Sequence, residues 1–406
     1  MPVEVLFVMT TMRTGGIATS LHNLLHELVN DTNYHLTLLL FDDSFVIDAD
    51  IPEGVDVITA GQLPRVIALS QNETFSIDKK LAYKRLFAGF LAKFFSQELA
   101  YTYLFRGFNL NRHWDVAISC TQSAPNHHLY GGCNEFVLNK INATKKLTFI
   151  HCDYISYGLK SRYNHKIYSS FNCIATVSDS VRRVFLEAEP SLSSKTITIY
   201  NCHDVRRILE KSEMDPIKTE KSFFNIVTVA RLSEEKGHVR ALNAIGRLIN
   251  EGYSIKWHVV GGSNDDFIDA FSELINKHGI NKNVILYGEQ KNPYRIMKQC
   301  DLLLVPSIHE AAPMVFGEAE ILKLPILTTE TISAIELVEN KKIGWVCDNS
   351  EDGIYKGLKE LLDSRILVEK CRDGMKPISN DVAINQLKEA IGRGLDGAKR
   401  SDIKYR

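Results

Sequence analysis

The chain has 406 residues, 45% of them hydrophobic, enough for two or three domains with substantial cores. Its 48 Lys and Arg against 49 Asp and Glu give a formal net charge of -1, so nucleic acid is not an expected partner, although a local basic patch remains open. Apolar residues run through the whole length, which excludes disorder as the main state.

Taken in order, Val3–Met9 is a short, partly β-branched apolar run, read as a buried strand. Gly15-Gly16 follows, then a helical pattern carried by Leu21, Leu24, Leu25 and Leu28. Further strands are expected at His35–Phe41, Asp115–Ser119, Lys146–Ile150, Cys173–Val177 and Thr196–Tyr200, with helical segments between several of them. The charged stretch 206–222 has no buried-strand character and reads as a linker. The alternation then restarts, with strands expected at Phe224–Val229, Lys256–Val260, Val284–Tyr287, Leu302–Val305 and Ile326–Thr328. Strand–helix alternation of this kind gives mostly parallel sheets covered on both faces. The fold class is therefore α/β: two doubly wound, Rossmann-like domains, expected to face each other across a ligand-binding cleft. The first spans 1–205, with the C-terminal stretch at about 386–406 expected to pack back on it; 206–222 links it to a second domain, 223–385.

The eight cysteines are scattered, with no C-x-x-C pair, and read as reduced thiols of a cytoplasmic protein. No basic region precedes the first apolar run, so a signal peptide is not expected. No stretch approaches the roughly 18 apolar residues of a membrane span.

Three stretches carry chemistry. Gly15-Gly16 lies between a strand and a helix, where backbone N–H groups can approach a phosphate, although a Gly pair taken alone is more often just a tight turn. Arg231 and Lys236 follow the first strand of the second domain; Arg can grip a diphosphate in a fork and Lys can act as a point charge, against the alternative of a solvated loop pairing Lys236 with Glu234 or Glu235. In Pro306–Ala319, Glu310 is expected in a loop and Glu318 on the first turn of the next helix, a spacing suited to a polyhydroxylated ligand. The amides of Met314 and Val315 would open that helix toward an anion. The plainer alternative is a pair of surface glutamates.

The ordered set of P-S-x-x-E followed by a second Glu, V-A-R-L-x-x-x-K-G and an early Gly-Gly loop resembles the retaining GT-B glycosyltransferases of family 4. Phe149–Asp153, Ala175–Ser178, Tyr200–Asp204, Val259–Gly262 and Tyr287–Glu289 extend the resemblance over nearly the whole chain, loosely between about 55 and 112. It departs from the family pattern at Ala311, Pro313, Cys202, His203 and Ser263. The resemblance implies that Arg231 and Lys236 hold a donor diphosphate, Glu318 the ribose, and Glu310 the transferred sugar. It further implies that Gly15 and Gly16, Gly262, Gly288, Glu289, Met314 and Val315 line the donor, and that His151 lies beside the anomeric centre. The implied catalytic set is His151, Glu310, Arg231 and Lys236.

The implied activity is a retaining, metal-independent transfer of a hexosyl or N-acetylhexosaminyl group. The donor is a nucleotide-diphosphate sugar, UDP being preferred, and the acceptor a saccharide or lipid-linked molecule of bacterial surface polysaccharide synthesis. No cofactor is expected. Asp48-Ala49-Asp50 has the letters of a metal-binding D-x-D but lies far in sequence from the diphosphate residues. A nucleotide-sugar 2-epimerase and a non-catalytic nucleotide-sugar-binding module are the competing functions. Finally, segment 79–106 carries six basic residues and one acidic residue among interleaved aromatics. It reads either as a surface for anionic lipid, placing the protein on the inner face of the cytoplasmic membrane, or as a helix packed on the first domain with its bases in water.

Overall fold

The computed structural model describes residues 2–13, 15–44, 50–263 and 265–393. The chain divides into two compact units, residues 1–202 with 380–406, and residues 203–379.

The first unit runs β1 (Val3–Thr11), α1 (Gly16–Leu28), β2 (Tyr34–Asp42), β3 (Val55–Thr59), α2 (Gln62–Ala68), α3 (Gln71–Ile77), α4 (Lys79–Phe94), α5 (Gln97–Leu104), β4 (His113–Ser119), α6 (Cys133–Lys140), β5 (Asn142–Ile150), α7 (Arg162–Ser169), β6 (Cys173–Thr176), α8 (Asp179–Ala188) and β7 (Thr196–Thr198). Its seven strands are parallel in the order β3-β2-β1-β4-β5-β6-β7. Val5, Leu6, Phe7 and Val8 of β1 are wholly buried, as a central strand covered on both faces requires.

The second unit runs α9 (Val205–Glu213), β8 (Phe224–Val229), α10 (His238–Asn250), β9 (Ile255–Val260), α11 (Asp265–His278), β10 (Val284–Leu286), α12 (Tyr294–Met297), β11 (Leu302–Val305), α13 (Met314–Ile321), β12 (Ile326–Thr329), β13 (Gly344–Cys347), α14 (Glu351–Asp363) and α15 (Arg365–Gly374). Its six parallel strands are ordered β10-β9-β8-β11-β12-β13. Trp257 and Phe271 anchor the core on one face, while Ile296, Met297 and Phe316 fill the other. The last described helix, α16 (Asp381–Gly392), belongs to the first unit. There Asn380 donates to Glu27 (2.7 Å), Lys388 pairs with Asp31 (2.5 Å), and Lys145 donates to the carbonyls of Ala390 and Arg393.

Two strands absent from the sequence reading, β3 and β13, are each the outermost strand of their sheet. Their side chains are half exposed, so neither gives a continuous apolar run. The stretch read as a linker begins instead with helix α9, which Asp204 caps by accepting from the Arg207 amide (2.9 Å) and which buries Ile208 and Ser212 one turn apart. All eight cysteines are free thiols, six of them buried.

Candidate active site

In both sheets the strand order reverses direction next to the strand that opens the unit, at β1/β4 and at β8/β11. Ligands of doubly wound sheets bind at the carboxyl ends of strands flanking such a reversal. In the second unit Arg231 follows β8, and Glu310 follows β11.

That edge is stitched together by backbone. The Leu232 amide donates to the Gly262 carbonyl (2.9 Å) and the Gly261 amide to Gly288 (2.9 Å), joining the exits of β8, β9 and β10. Gly261 is required there, because a Cβ on it would stand 1.8 Å from the Ala230 carbonyl oxygen. Gly237 has φ +69°, and its Cβ would meet the Pro306 carbonyl oxygen at 1.9 Å. Arg240 clamps the same oxygen through Nε (2.9 Å) and Nη2 (2.6 Å). The loop bearing Lys236 is thereby pressed onto the exit of β11. Lys236 Nζ reaches Glu310 Oε1 at 2.6 Å, and Ser307 Oγ donates to the same oxygen at 2.9 Å. Among the described residues both bonds fall on Oε1, leaving Oε2 for a ligand. Lys236 therefore pairs with Glu310 rather than with Glu234 or Glu235, the partners a solvated loop would supply.

Arg231 is differently placed. It is 77% exposed, and its Nη2 lies 3.3 Å from Glu235. An exposed i,i+4 pair of this kind contributes little to stability, so the guanidinium can turn to an anion at small cost. Glu289 lies over Gly262, where an added Cβ would stand 3.4 Å from the Glu289 Cβ.

Helix α13 starts at Met314 after Pro313, with no side chain capping it and no acidic residue in its first turn. The amides of Met314 and Val315 open this helix, as expected. Glu318 is the fifth residue of α13 and so lies on its second turn, not its first. Only 9% exposed, it accepts a hydrogen bond from Tyr294 Oη (3.2 Å). Burial pushes its carboxyl up to about 7, partly opposed by the Tyr294 bond. Sequence reasoning missed Tyr294, which lies 24 residues upstream in a four-residue helix with no periodic signal. Ser307 was visible in the P-S-x-x-E stretch, but its bond to Glu310 was not.

Three of the departures from the family pattern have structural uses. Ser263 Oγ donates to the Leu232 carbonyl (2.6 Å). Pro313 stands as the N-cap of α13. His203, buried and held neutral down to about pH 4 by burial, packs directly against Gly317, where a Cβ would come within 2.0 Å of its Nε2.

In the first unit Gly15 is the extended N-cap of α1, with no side-chain cap, and Gly16 opens the helix. His151 follows β5, its ring stacked on Phe149 at 5.5 Å between centroids. Burial lowers its pKa to about 4, against a smaller opposing contribution from the Cys120 backbone, so the imidazole is neutral at pH 7. Of the D-x-D letters, Asp48 and Ala49 lie outside the described residues. Asp50 is described, and its carbonyl faces Nε2 of both His22 and His26 at 3.1 Å. Among the described residues these three are the group spaced to hold a cation.

Residues 210–376 match the family model of glycosyl transferases group 1. The second unit carries a group 1 glycosyltransferase domain. Curated relatives include an uncharacterized glycosyltransferase of Methanocaldococcus jannaschii, 25% identical over 210 residues, covering 48% of this chain and 51% of the relative. The capsular polysaccharide biosynthesis glycosyltransferase CapM of Staphylococcus aureus is 24% identical over 51% of this chain and 57% of its own. The chain thus spans about half the length of these relatives. Among solved structures, Anabaena HepE in complex with UDP and glucose has a TM-score of 0.66 at 16% identity, covering 96% of this chain and 99% of HepE. TarM has a TM-score of 0.68 at 12% identity, covering 96% of this chain and 99% of TarM. Likeness at this identity speaks to fold: the architecture is GT-B, as the sequence reading expected.

Proposed function

We propose that this chain moves a hexosyl or N-acetylhexosaminyl group from a UDP-sugar to a saccharide or lipid-linked acceptor of surface polysaccharide synthesis, with retention of configuration and without a metal. The observation that carries the reading is the Lys236–Glu310 pair at the β8/β11 reversal, with the exposed Arg231, held only by a surface pair to Glu235, at the exit of β8. Breaking a glycosyl phosphate bond leaves a diphosphate and an electron-poor sugar. Lys236 and Arg231 supply fixed positive charge to the departing diphosphate, and the amides of Met314 and Val315 add donors to it. Glu310, oriented by Lys236 and Ser307, presents Oε2 to hydroxyls of the transferred sugar. Glu318, held by Tyr294, receives the ribose hydroxyls. A leaving-group phosphate oxygen takes the acceptor proton on the same face, which gives retention. In the first unit, Gly15 and Gly16 serve the donor, with the Gly16 N–H turned to the diphosphate or the acceptor side, and the neutral His151 lies beside the anomeric centre. Gly262, Gly288 and Glu289 line the donor.

Names among the relatives support this reading. CapM is named for capsular polysaccharide biosynthesis. A Campylobacter jejuni relative, 27% identical over 43% of this chain and 46% of its own, is named as an N-acetylgalactosaminyltransferase acting on a diphospho-undecaprenol acceptor. HepE was solved with UDP and glucose. The test is a panel of nucleotide sugars scored by thermal shift and then by turnover with and without acceptor. A UDP-sugar should raise the melting temperature by mass action. Turnover without acceptor that yields the 2-epimer, or stabilisation with no turnover toward any acceptor, would overturn the transferase reading.

A further inference from the structure

Helix α4 is built inside out. Its buried residues are small or few: Ala82, Ala88 and Ala92, with Leu81. Its large apolar side chains point to water. Tyr83 stands three and four residues before Leu86 and Phe87, these stand four and three before Phe90, and Phe94 is four further on, which on a helix places all five on one stripe; they are 48–65% exposed. Phe95, just beyond the helix, is 61% exposed and continues the stripe against Phe90, 5.8 Å away. Phe90 also meets Phe94 at 5.0 Å, so the stripe is a preassembled aromatic surface. Scattered exposed apolar residues need no explanation, but a contiguous patch of this kind does.

Charge identifies what covers it. Lys79, Lys80, Lys84 and Lys93 are exposed along the same helix. The nearby acids are already engaged: Asp78 caps α4 through the Lys80 amide (2.8 Å), Glu98 pairs with Lys166 (3.2 Å), and Glu73 pairs with Arg13 (2.5 Å). Arg85 does not belong to this surface, because its guanidinium turns inward to the Val66 carbonyl. An aromatic stripe rimmed by lysines with no acidic partner among the described residues suits an anionic bilayer, into whose headgroup region the rings sink while ammonium groups meet lipid phosphates. A second copy of the same face would set lysine against lysine. Among the described residues no helix is long and apolar enough to cross a membrane.

We infer that α4 is a membrane-docking face that seats the first unit on anionic lipid, with Phe90, Phe94 and Phe95 inserted and the four lysines at the phosphate level. The Arg13–Glu73 pair ties the residue at the end of the β1 exit to α3, next to α4 in the chain, so that exit is anchored beside the element that rests on lipid. The inference does not depend on the transfer reaction, since its readout is binding.

The test is co-sedimentation of the full chain with vesicles of phosphatidylcholine alone and of phosphatidylcholine with one-third phosphatidylglycerol, at two salt concentrations. The wild type should partition onto the anionic vesicles, more weakly at high salt, and scarcely onto the neutral ones. A variant with Lys79, Lys80, Lys84 and Lys93 changed to Gln, and a second with Phe90→Ser and Phe94→Ser, should each lose at least roughly tenfold in partition coefficient. The melting temperature should be unchanged in both, because the altered side chains are exposed. Equal binding by wild type and either variant, or no vesicle binding by the wild type, would overturn the inference. So would a concentration-dependent dimer that Phe90→Ser and Phe94→Ser abolish in the absence of vesicle binding.

Discussion

The two switch-point edges are organised on opposite lines. In the second unit the charged groups are held before any ligand arrives: Lys236 and Ser307 on Glu310, Tyr294 on Glu318, and Gly237 and Arg240 closing the loop onto Pro306. In the first unit the corresponding edge offers an uncapped helix start at Gly15-Gly16 and a neutral His151. That unit's most distinctive surface is apolar and lies on α4. Under the proposed function the contrast follows from what each unit would meet: a diphosphate is the same anion on every donor and rewards fixed cations, whereas an acceptor varies and would be met by backbone groups. The stretch matched by the family model lies wholly within the second unit.

Experiments can break this contrast or sharpen it, beginning with the largest effect. Lys236→Met should lower kcat/KM by roughly 10²–10³, because it removes charge aimed at the leaving group and leaves the half-buried Glu310 carboxylate uncompensated. His151→Ala should cost less, since the group it removes is uncharged; an equal loss would erase the distinction between the edges. Gly317→Ala should destabilise the second unit by about 3 kcal/mol in urea titrations, because its Cβ collides with the buried His203 ring.

The fourth experiment uses pH. Glu318 keeps its proton in the native state up to about 7, against 4.5 for an ordinary glutamate. The native chain therefore binds more protons than the unfolded one between these values, and stability falls as pH rises through that window. Glu318→Gln keeps an acceptor for Tyr294 and removes the slope, so the variant should gain on the wild type by at most about 3 kcal/mol between pH 4.5 and 7. Buried His203, lowered to about 4, has the opposite sign: it costs stability as pH falls below 6.5. Smallest in stability is Arg231→Ala, which should leave the unfolding midpoint where it was while weakening nucleotide-sugar binding about tenfold by calorimetry. EDTA should leave turnover unchanged.

Much of this was legible in the sequence. Central strands announce themselves because burial on both faces demands unbroken apolar runs, as in Val3–Met9 and Leu302–Val305. The β3 and β13 edges, half wet, give no such run. Arg231, Lys236 and Glu310 stand out as candidates because they are charged residues at strand exits, and Glu318 by its spacing from Glu310, but their partners do not: Tyr294 and Ser307 meet the glutamates only through the fold. The turn on which Glu318 sits depended on where Pro313 lets the helix begin. In α4 the composition was plain, and its orientation was not. Aromatics interleaved with lysines fit either an inward or an outward stripe, and the alanines on the buried side decide it.

The return of the chain through α16 bears on how the molecule can be taken apart. The first unit is assembled from two separate stretches of sequence, while 203–379 is one continuous stretch. A proteolytic cut near residue 379 would release the helix whose Ala390 and Arg393 carbonyls receive the otherwise buried Lys145 ammonium. Fragment 1–202 on its own would lose these two acceptors for Lys145 and uncover the apolar seam where Leu387 and Ile391 had been. The segment 203–379 is thus the natural piece to produce alone, and a working first unit calls for a permuted or tethered design that restores its last helix.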